Sequence, residues 1–139
     1  MREVRTTIKA VNLVDTALYK NNVIEKEKIR EIELDALVDT GAVMLLLPQD
    51  AVEALGLEVK DRIIVSLANE EKIELDVAGD MSLEVCNRKT VKDCLVGPPR
   101  CEPLVGHLLF ERLDLIPDPV KQRLAPRPES PFLPSLKLK

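Results

Sequence analysis

Residues 31–48 read Glu31-Ile32-Glu33-Leu34-Asp35-Ala36-Leu37-Val38-Asp39-Thr40-Gly41-Ala42-Val43-Met44-Leu45-Leu46-Leu47-Pro48, and this stretch decides the fold. Ile32, Leu34, Ala36 and Val38 alternate with Glu31, Glu33 and Asp35. That period of two is the pattern of a strand with one face toward a core. The strand runs straight into Asp39-Thr40-Gly41. An apolar run from Val43 to Leu47 follows, too short for a helix and bounded by Pro48, so a buried strand is expected there. Asp39 then lies in a turn between two hydrophobic strands.

Upstream, Val4, Thr6, Ile8 and Ala10 fall on one face of a strand over residues 2–10. Residues 20–30 are polar, and Asn21-Asn22 fits a turn because Asn tolerates positive φ. The sign-alternating charges from Glu25 to Glu33 mark a solvated strand edge or loop. Downstream, Pro48 opens a short helix through Leu55, and Gly56 closes it. Residues 58–67 and 72–78 read as two strands around Asn69-Glu70-Glu71. Residues 80–86 and 89–96 read as a hairpin turning at Asn87-Arg88. Pro103 to Val105 is a short strand ending at Gly106, His107 to Leu113 a helix, and Leu115 to Leu124 an extended segment broken by Pro117 and Pro119. The fold class expected is all-β, mainly antiparallel, with one or two short helices. The folded unit covers residues 1–124. Residues 125–139, with Pro126, Pro128, Pro131 and Pro134, are expected as an extended or disordered tail.

The totals bound the function. A chain of 139 residues suits one domain. Hydrophobic residues make up 45%, but only Phe110, Phe132 and Tyr19 are aromatic, so the core must be aliphatic. A net charge of −4 with mixed signs gives no footprint for nucleic acid. Three cysteines without a CxxC pair argue against a disulfide framework or a zinc site, so no metal or cofactor is expected. No apolar run reaches membrane-spanning length and no signal peptide is evident, which makes a cytoplasmic protein with reduced thiols the expectation.

Asp39-Thr40-Gly41 is the chemical signal. An Asx turn between strands uses the same residue types, so the triplet alone has a purely structural reading. Its apolar flanks add a problem, because a lone carboxylate near an interior is costly unless paired, hydrogen-bonded or neutralised. A second subunit solves it. Two Asp39 carboxyls about 3 Å apart across a twofold axis cannot both ionise easily and share one proton. The ionised partner activates a water, and the protonated one polarises a carbonyl.

Ala36-Leu37-Val38-Asp39-Thr40-Gly41-Ala42 resembles the active-site loop of retropepsin-like aspartic proteases (clan AA), in particular the small prokaryotic members. Pro103-Leu104-Val105-Gly106 resembles the family's second signature, two apolar residues and a glycine before the C-terminal helix. Gly106 lies 67 residues beyond Asp39 (39 to 106), a separation that suits one such subunit. The resemblance covers most of residues 1–124, including the Asp118-Pro119 step, and none of the tail. It implies a closed, barrel-like fold and a homodimer that hydrolyses peptide or protein substrates, with Asp39 as the catalytic residue each subunit gives. It further implies that Thr40 reaches to the partner loop and that Gly41 and Ala42 line the cleft. Leu67, Ala68, Asn69, Glu70, Glu71 and Lys72 would form the flap. Leu104, Val105 and Gly106 would pack behind the catalytic loop. The N-terminal strand and the segment after Leu113 would help form the dimer interface.

Three features depart from the family pattern: Val43 and the flap tip, and His107 directly after the second motif. Val43 stands where a polar residue is frequent, and the flap tip has no glycine. These departures support an alternative, a non-catalytic dimer that binds peptides or a protein partner. A third reading is a β-barrel interaction domain with an accidental triplet, its Asp39 facing solvent. His107, the single histidine, is expected as a helix-start residue without a catalytic role, since the mechanism uses no imidazole. Cys86, Cys94 and Cys101 are expected as incidental thiols. Asp15 and Asp61 are expected in turns, and Gly97-Pro98-Pro99 as a rigid connection.

Overall fold

The computed structural model describes residues 3–138. β1 (Val4–Asn12) and β2 (Glu31–Asp39) pair antiparallel, with Val4 opposite Val38 and Val11 opposite Glu31. Between them lie α1 (Leu13–Lys20) and a 3₁₀ turn at Lys26–Lys28. Then come β3 (Leu46–Pro48), α2 (Gln49–Leu55), β4 (Glu58–Ser66), β5 (Lys72–Val85) and β6 (Arg88–Gly97). The chain ends with β7 (Leu104–Gly106), α3 (His107–Arg112), β8 (Leu115–Asp118) and β9 (Arg123–Pro126).

Strands in the order β1-β5-β6-β3-β7-β2 close on β1 into a six-stranded barrel. The β1–β5 pairing closes the barrel and leaves β4 and β8 as the outer strands among those described. β4 extends beyond β5 as the outer strand of a hairpin, and β9 carries β8 at the far end of the sheet. The barrel is filled with aliphatic side chains, as the composition requires. Ile8, Leu45, Leu47, Leu55, Met81, Leu83, Leu109 and Leu113 are fully buried. Each contributes about 1.5–3 kcal/mol of transfer free energy. α2 points Val52 and Leu55 inward, and Gly56 ends it at a φ of 64°, the left-handed cap that glycine adopts without strain. Among the described residues no helix is long and apolar enough to cross a membrane.

The all-β expectation holds, but three α-helices are present among the described residues where one or two were expected. α1 is the unexpected one. Asn12 caps it, its side-chain oxygen accepting from the Asp15 N–H at 3.0 Å. Asp15 is therefore not a turn residue. It is buried in α1, where its carboxylate accepts from Arg30 Nε at 2.8 Å and Nη2 at 3.0 Å. Asp61 also lies outside any turn, beside a register shift in β4.

Four further boundaries differ. The run from Val43 to Leu47 is a strand only from Leu46, because Val43 to Leu45 are the descending limb of the loop after Asp39. Residues 72–78 and 80–86 form one strand, β5, which passes through an irregularity between Ala78 and Met81. The hairpin turns at Cys86-Asn87, one residue early, with φ of 51° and 62° at the two central positions. That is the type I′ pattern favoured between twisted strands. It leaves Arg88 to start β6, buried. Lastly, β9 crosses the expected boundary at Leu124; residues 127–138 form no helix or strand and are exposed from Pro131 on, but Arg127, Ser130 and Ser135 are hydrogen-bonded to the body of the fold. Asp114 accepts from Arg127, from the Ser130 hydroxyl and from the Ser135 N–H. Arg88 donates to the carbonyls of Leu113, Asp114 and Ser130.

Candidate active site

Asp39 is the last residue of β2. The strand delivers it from the core outward: Val38 is buried, Asp39 half-buried, Thr40 and Gly41 exposed, and Ala42 half-buried. The third reading is thus met only in part, since the carboxyl is neither sealed inside nor free on a loop. The turn that follows is tight. The Gly41 N–H donates to Asp39 Oδ1 at 2.9 Å, and the Ala42 N–H to the Asp39 carbonyl at 3.1 Å. This Asx turn fixes one carboxyl oxygen. Among the described residues, Oδ2 carries no hydrogen bond and no cation pairs with Asp39.

The second motif lies against the first. β2 and β7 pair in parallel, with Leu37, Val38 and Asp39 beside Leu104, Val105 and Gly106. Leu37 N–H donates to the Pro103 carbonyl at 2.9 Å. Val105 is fully buried behind the loop. A Cβ on Gly106 would stand 2.6 Å from the Val43 carbonyl carbon and 2.7 Å from the Ala42 oxygen, so only glycine lets the loop pass here. Val43 itself is 52% exposed, its side chain turned away from the barrel.

The residues read as a flap form the tip of the β4–β5 hairpin and are all exposed. Ser66 pairs with Lys72. Leu67 donates to the Glu71 carbonyl at 2.8 Å, Glu70 donates to the Leu67 carbonyl at 2.9 Å, and Asn69 Oδ1 accepts from the Glu71 N–H at 3.1 Å. The tip closes without glycine by placing Glu70 at a φ of 67°. Among the described residues no hydrogen bond joins the flap to the Asp39 loop, so the structure unites the two motifs and leaves the flap standing apart.

Sequence reasoning passed over Arg5, which ties the frame of the site together. From β1 it donates to Asp35 on β2 at 2.7 Å and to Glu102, just before β7, at 2.5 Å. Glu102 first, then Asp35, hold its guanidinium above its ordinary range. The alternation of charges on β1 and β2 was the available signal. A cavity of about 460 Å³ lies between α2 and the base of the β4–β5 hairpin, lined by Val52, Leu57, Val59, Arg62 and Leu75 among others. A second, of about 310 Å³, is lined by Met44, Val91, Lys92 and Asp93. Asp39 lines neither. The thiols are poor nucleophiles: burial pushes Cys94 up to about 12 and raises Cys86 and Cys101.

A family model described as aspartyl protease matches residues 26–99, which include Asp39, its loop and the β4–β5 hairpin. The second motif lies outside that match. No curated protein matches the chain.

Proposed function

This chain belongs to the retropepsin-like aspartyl protease family, and from that premise we propose that it is a homodimeric endopeptidase in which each subunit supplies one Asp39. The observation that carries the proposal is the state of that carboxyl within one subunit. It is aimed by Gly41 and backed by Gly106, and among the described residues its Oδ2 has no hydrogen bond and no cation pairs with it. A twofold arrangement supplies what one chain lacks, because an isologous contact brings the same residue to both sides of the axis.

In the paired site the two carboxyls hold one proton between them. The ionised Asp39 takes a proton from water as its oxygen attacks the peptide carbonyl carbon. The protonated Asp39 donates to the carbonyl oxygen, giving a neutral tetrahedral diol. Collapse re-forms the carbonyl, breaks the C–N bond, and passes a proton to the leaving nitrogen. The exposed β4–β5 hairpin closes over the peptide, and Leu67 gives its tip an apolar contact. The free thiols of Cys86, Cys94 and Cys101 support a reducing, cytoplasmic compartment.

The deciding experiment incubates wild type and Asp39→Asn with a mixture of unstructured peptides and reads cleavage by mass spectrometry, with sedimentation to follow the dimer. General acid–base groups contribute about 10²–10⁴-fold, so the variant should lose at least that much while still dimerising. A wild type that stays monomeric at concentrations where it cuts peptides ends the proposal. A second reading, a non-catalytic peptide-binding dimer, is favoured by exposed Val43 and the glycine-free acidic tip. It requires both proteins to bind the same peptides and neither to cut them.

A further inference from the structure

Apart from the glycine beneath it, the catalytic loop is held chiefly by His107, the first residue of α3. Two of its atoms meet one acceptor. The main-chain N–H donates to the Ala42 carbonyl oxygen at 2.9 Å, and ring Nδ1 lies 3.0 Å from the same oxygen. A carbonyl oxygen only accepts, so this contact requires the proton on Nδ1. The main-chain bond alone already satisfies that oxygen. The ring bond therefore adds direction: it pins the plane of the 42–43 peptide, on the far side of the turn from Asp39. From there the contacts continue inward. Ala42 donates to the Asp39 carbonyl and Gly41 to the Asp39 carboxylate. The ring is half-buried and has no contact with Asp39 itself among the hydrogen bonds of the described residues.

We propose that His107 is a positioning residue for Asp39, using a protonated Nδ1 to lock the Ala42 carbonyl and with it the orientation of the carboxyl. It acts from the residue directly after the second motif, where α3 begins. Its kinetic consequence rests on the protease reading above, whereas the hydrogen bond stands independently of it.

Two variants test it. His107→Leu removes the donor, while His107→Asn places an amide nitrogen where Nδ1 stands. A misplacement of about 1 Å can cost about 10²-fold, and smaller shifts cost less. His107→Leu should therefore lower kcat roughly 10- to 100-fold with KM little changed, and His107→Asn should recover most of the loss. Two readouts need no activity. Long-range ¹⁵N–¹H spectra above the ordinary imidazole range should show the Nδ1-protonated tautomer. Exchange of the Ala42 amide should quicken in His107→Leu and return toward wild type in His107→Asn. An Nε2-protonated ring, or equal exchange in the two variants, overturns the role. If wild type cuts no peptide, the protease reading fails, and tautomer and exchange still decide for or against positioning.

Discussion

Asp39 and Gly106 occupy paired positions on the parallel strands β2 and β7, and the glycine's missing side chain is the space through which the loop beyond Asp39 runs. Gly106→Ala forces a Cβ against backbone atoms of Ala42 and Val43, which cannot rotate away as a side chain would. Overpacking of this kind costs about 1–3 kcal/mol. The larger effect should fall on cleavage, because the atoms displaced belong to the Asp39 loop. Thermal unfolding and peptide cleavage measured together check this. A variant with native activity would show that the loop tolerates the shift.

If catalysis needs one Asp39 from each subunit, inactive subunits should poison active ones. Mixing equal amounts of wild type and Asp39→Asn, with time for exchange, leaves about a quarter of the dimers with two aspartates. Cleavage should fall to that level, below the half expected if each subunit worked alone. A titration of activity against mixing ratio separates a quadratic from a linear dependence.

Much of this site was legible in the sequence, and the reasons are local. Alternation from Ile32 to Val38 fixed β2, and the triplet after it marked the turn. Pro103 to Val105 read as a short strand ending at Gly106, while the close approach at that glycine emerged only from the structure. That these two segments pair in parallel is a tertiary fact, visible in the sequence only through the family resemblance. What was missed shares one cause: chain-distant polar partners. α1 depends on Asn12 reaching Leu55 and on Asp15 reaching Arg30. The Cys86-Asn87 turn is set by the need to bury Arg88 against the carbonyls near α3 and the tail. Proline counting in residues 125–139 gave an extended or disordered tail; residues 127–138 indeed lack helix and strand, but Asp114 and Arg88 fasten Arg127, Ser130 and Ser135 through hydrogen bonds that composition does not report.

The Asp114 contacts make a pH prediction. Arg127 first, then Ser130 and the Ser135 N–H, hold the Asp114 carboxyl below its ordinary range. A carboxyl with a depressed folded pKa stabilises the fold above its unfolded pKa, near 4 for Asp, and loses that contribution as pH falls through the folded value. Asp15, depressed chiefly by its Arg30 hydrogen bonds, has the same sign. Asp114→Asn should therefore melt below wild type near neutral pH, with the gap closing as both are acidified below about pH 4. A gap independent of pH would assign the loss to packing.

Arg88 gives a companion test of the tail. Its buried guanidinium satisfies three carbonyls, and Arg88→Met leaves them without that donor. Groups orphaned in this way cost about 1–3 kcal/mol each, with partial relief from water. A net loss of about 3 kcal/mol in urea unfolding is expected. Deleting residues 127–139 removes Ser130 and Arg127 together and should destabilise comparably. A truncated chain as stable as the full one would return these residues to the status of a loose tail.

The tip of the β4–β5 hairpin offers a substitution with the opposite sign. Glu70 holds a φ of 67°, where an L side chain crowds its own carbonyl at a cost of about 1–2 kcal/mol. Glycine carries no such strain but gives the unfolded chain more freedom, a cost of about 0.5–1 kcal/mol. The balance favours Glu70→Gly by up to about 1 kcal/mol. Strand interiors behave otherwise: at Ile63 or Leu75, glycine loses packing with no strain to relieve. Chemical unfolding of Glu70→Gly beside Leu75→Gly reads the contrast directly. The backbone of the tip should also become more mobile in Glu70→Gly, seen as lower ¹⁵N order parameters at residues 68–71. In the protease reading a looser tip closes over peptide more readily and KM falls. Glu70→Gly less stable than wild type would mean that the turn is held by its hydrogen bonds from Leu67 and Glu71 without appreciable strain.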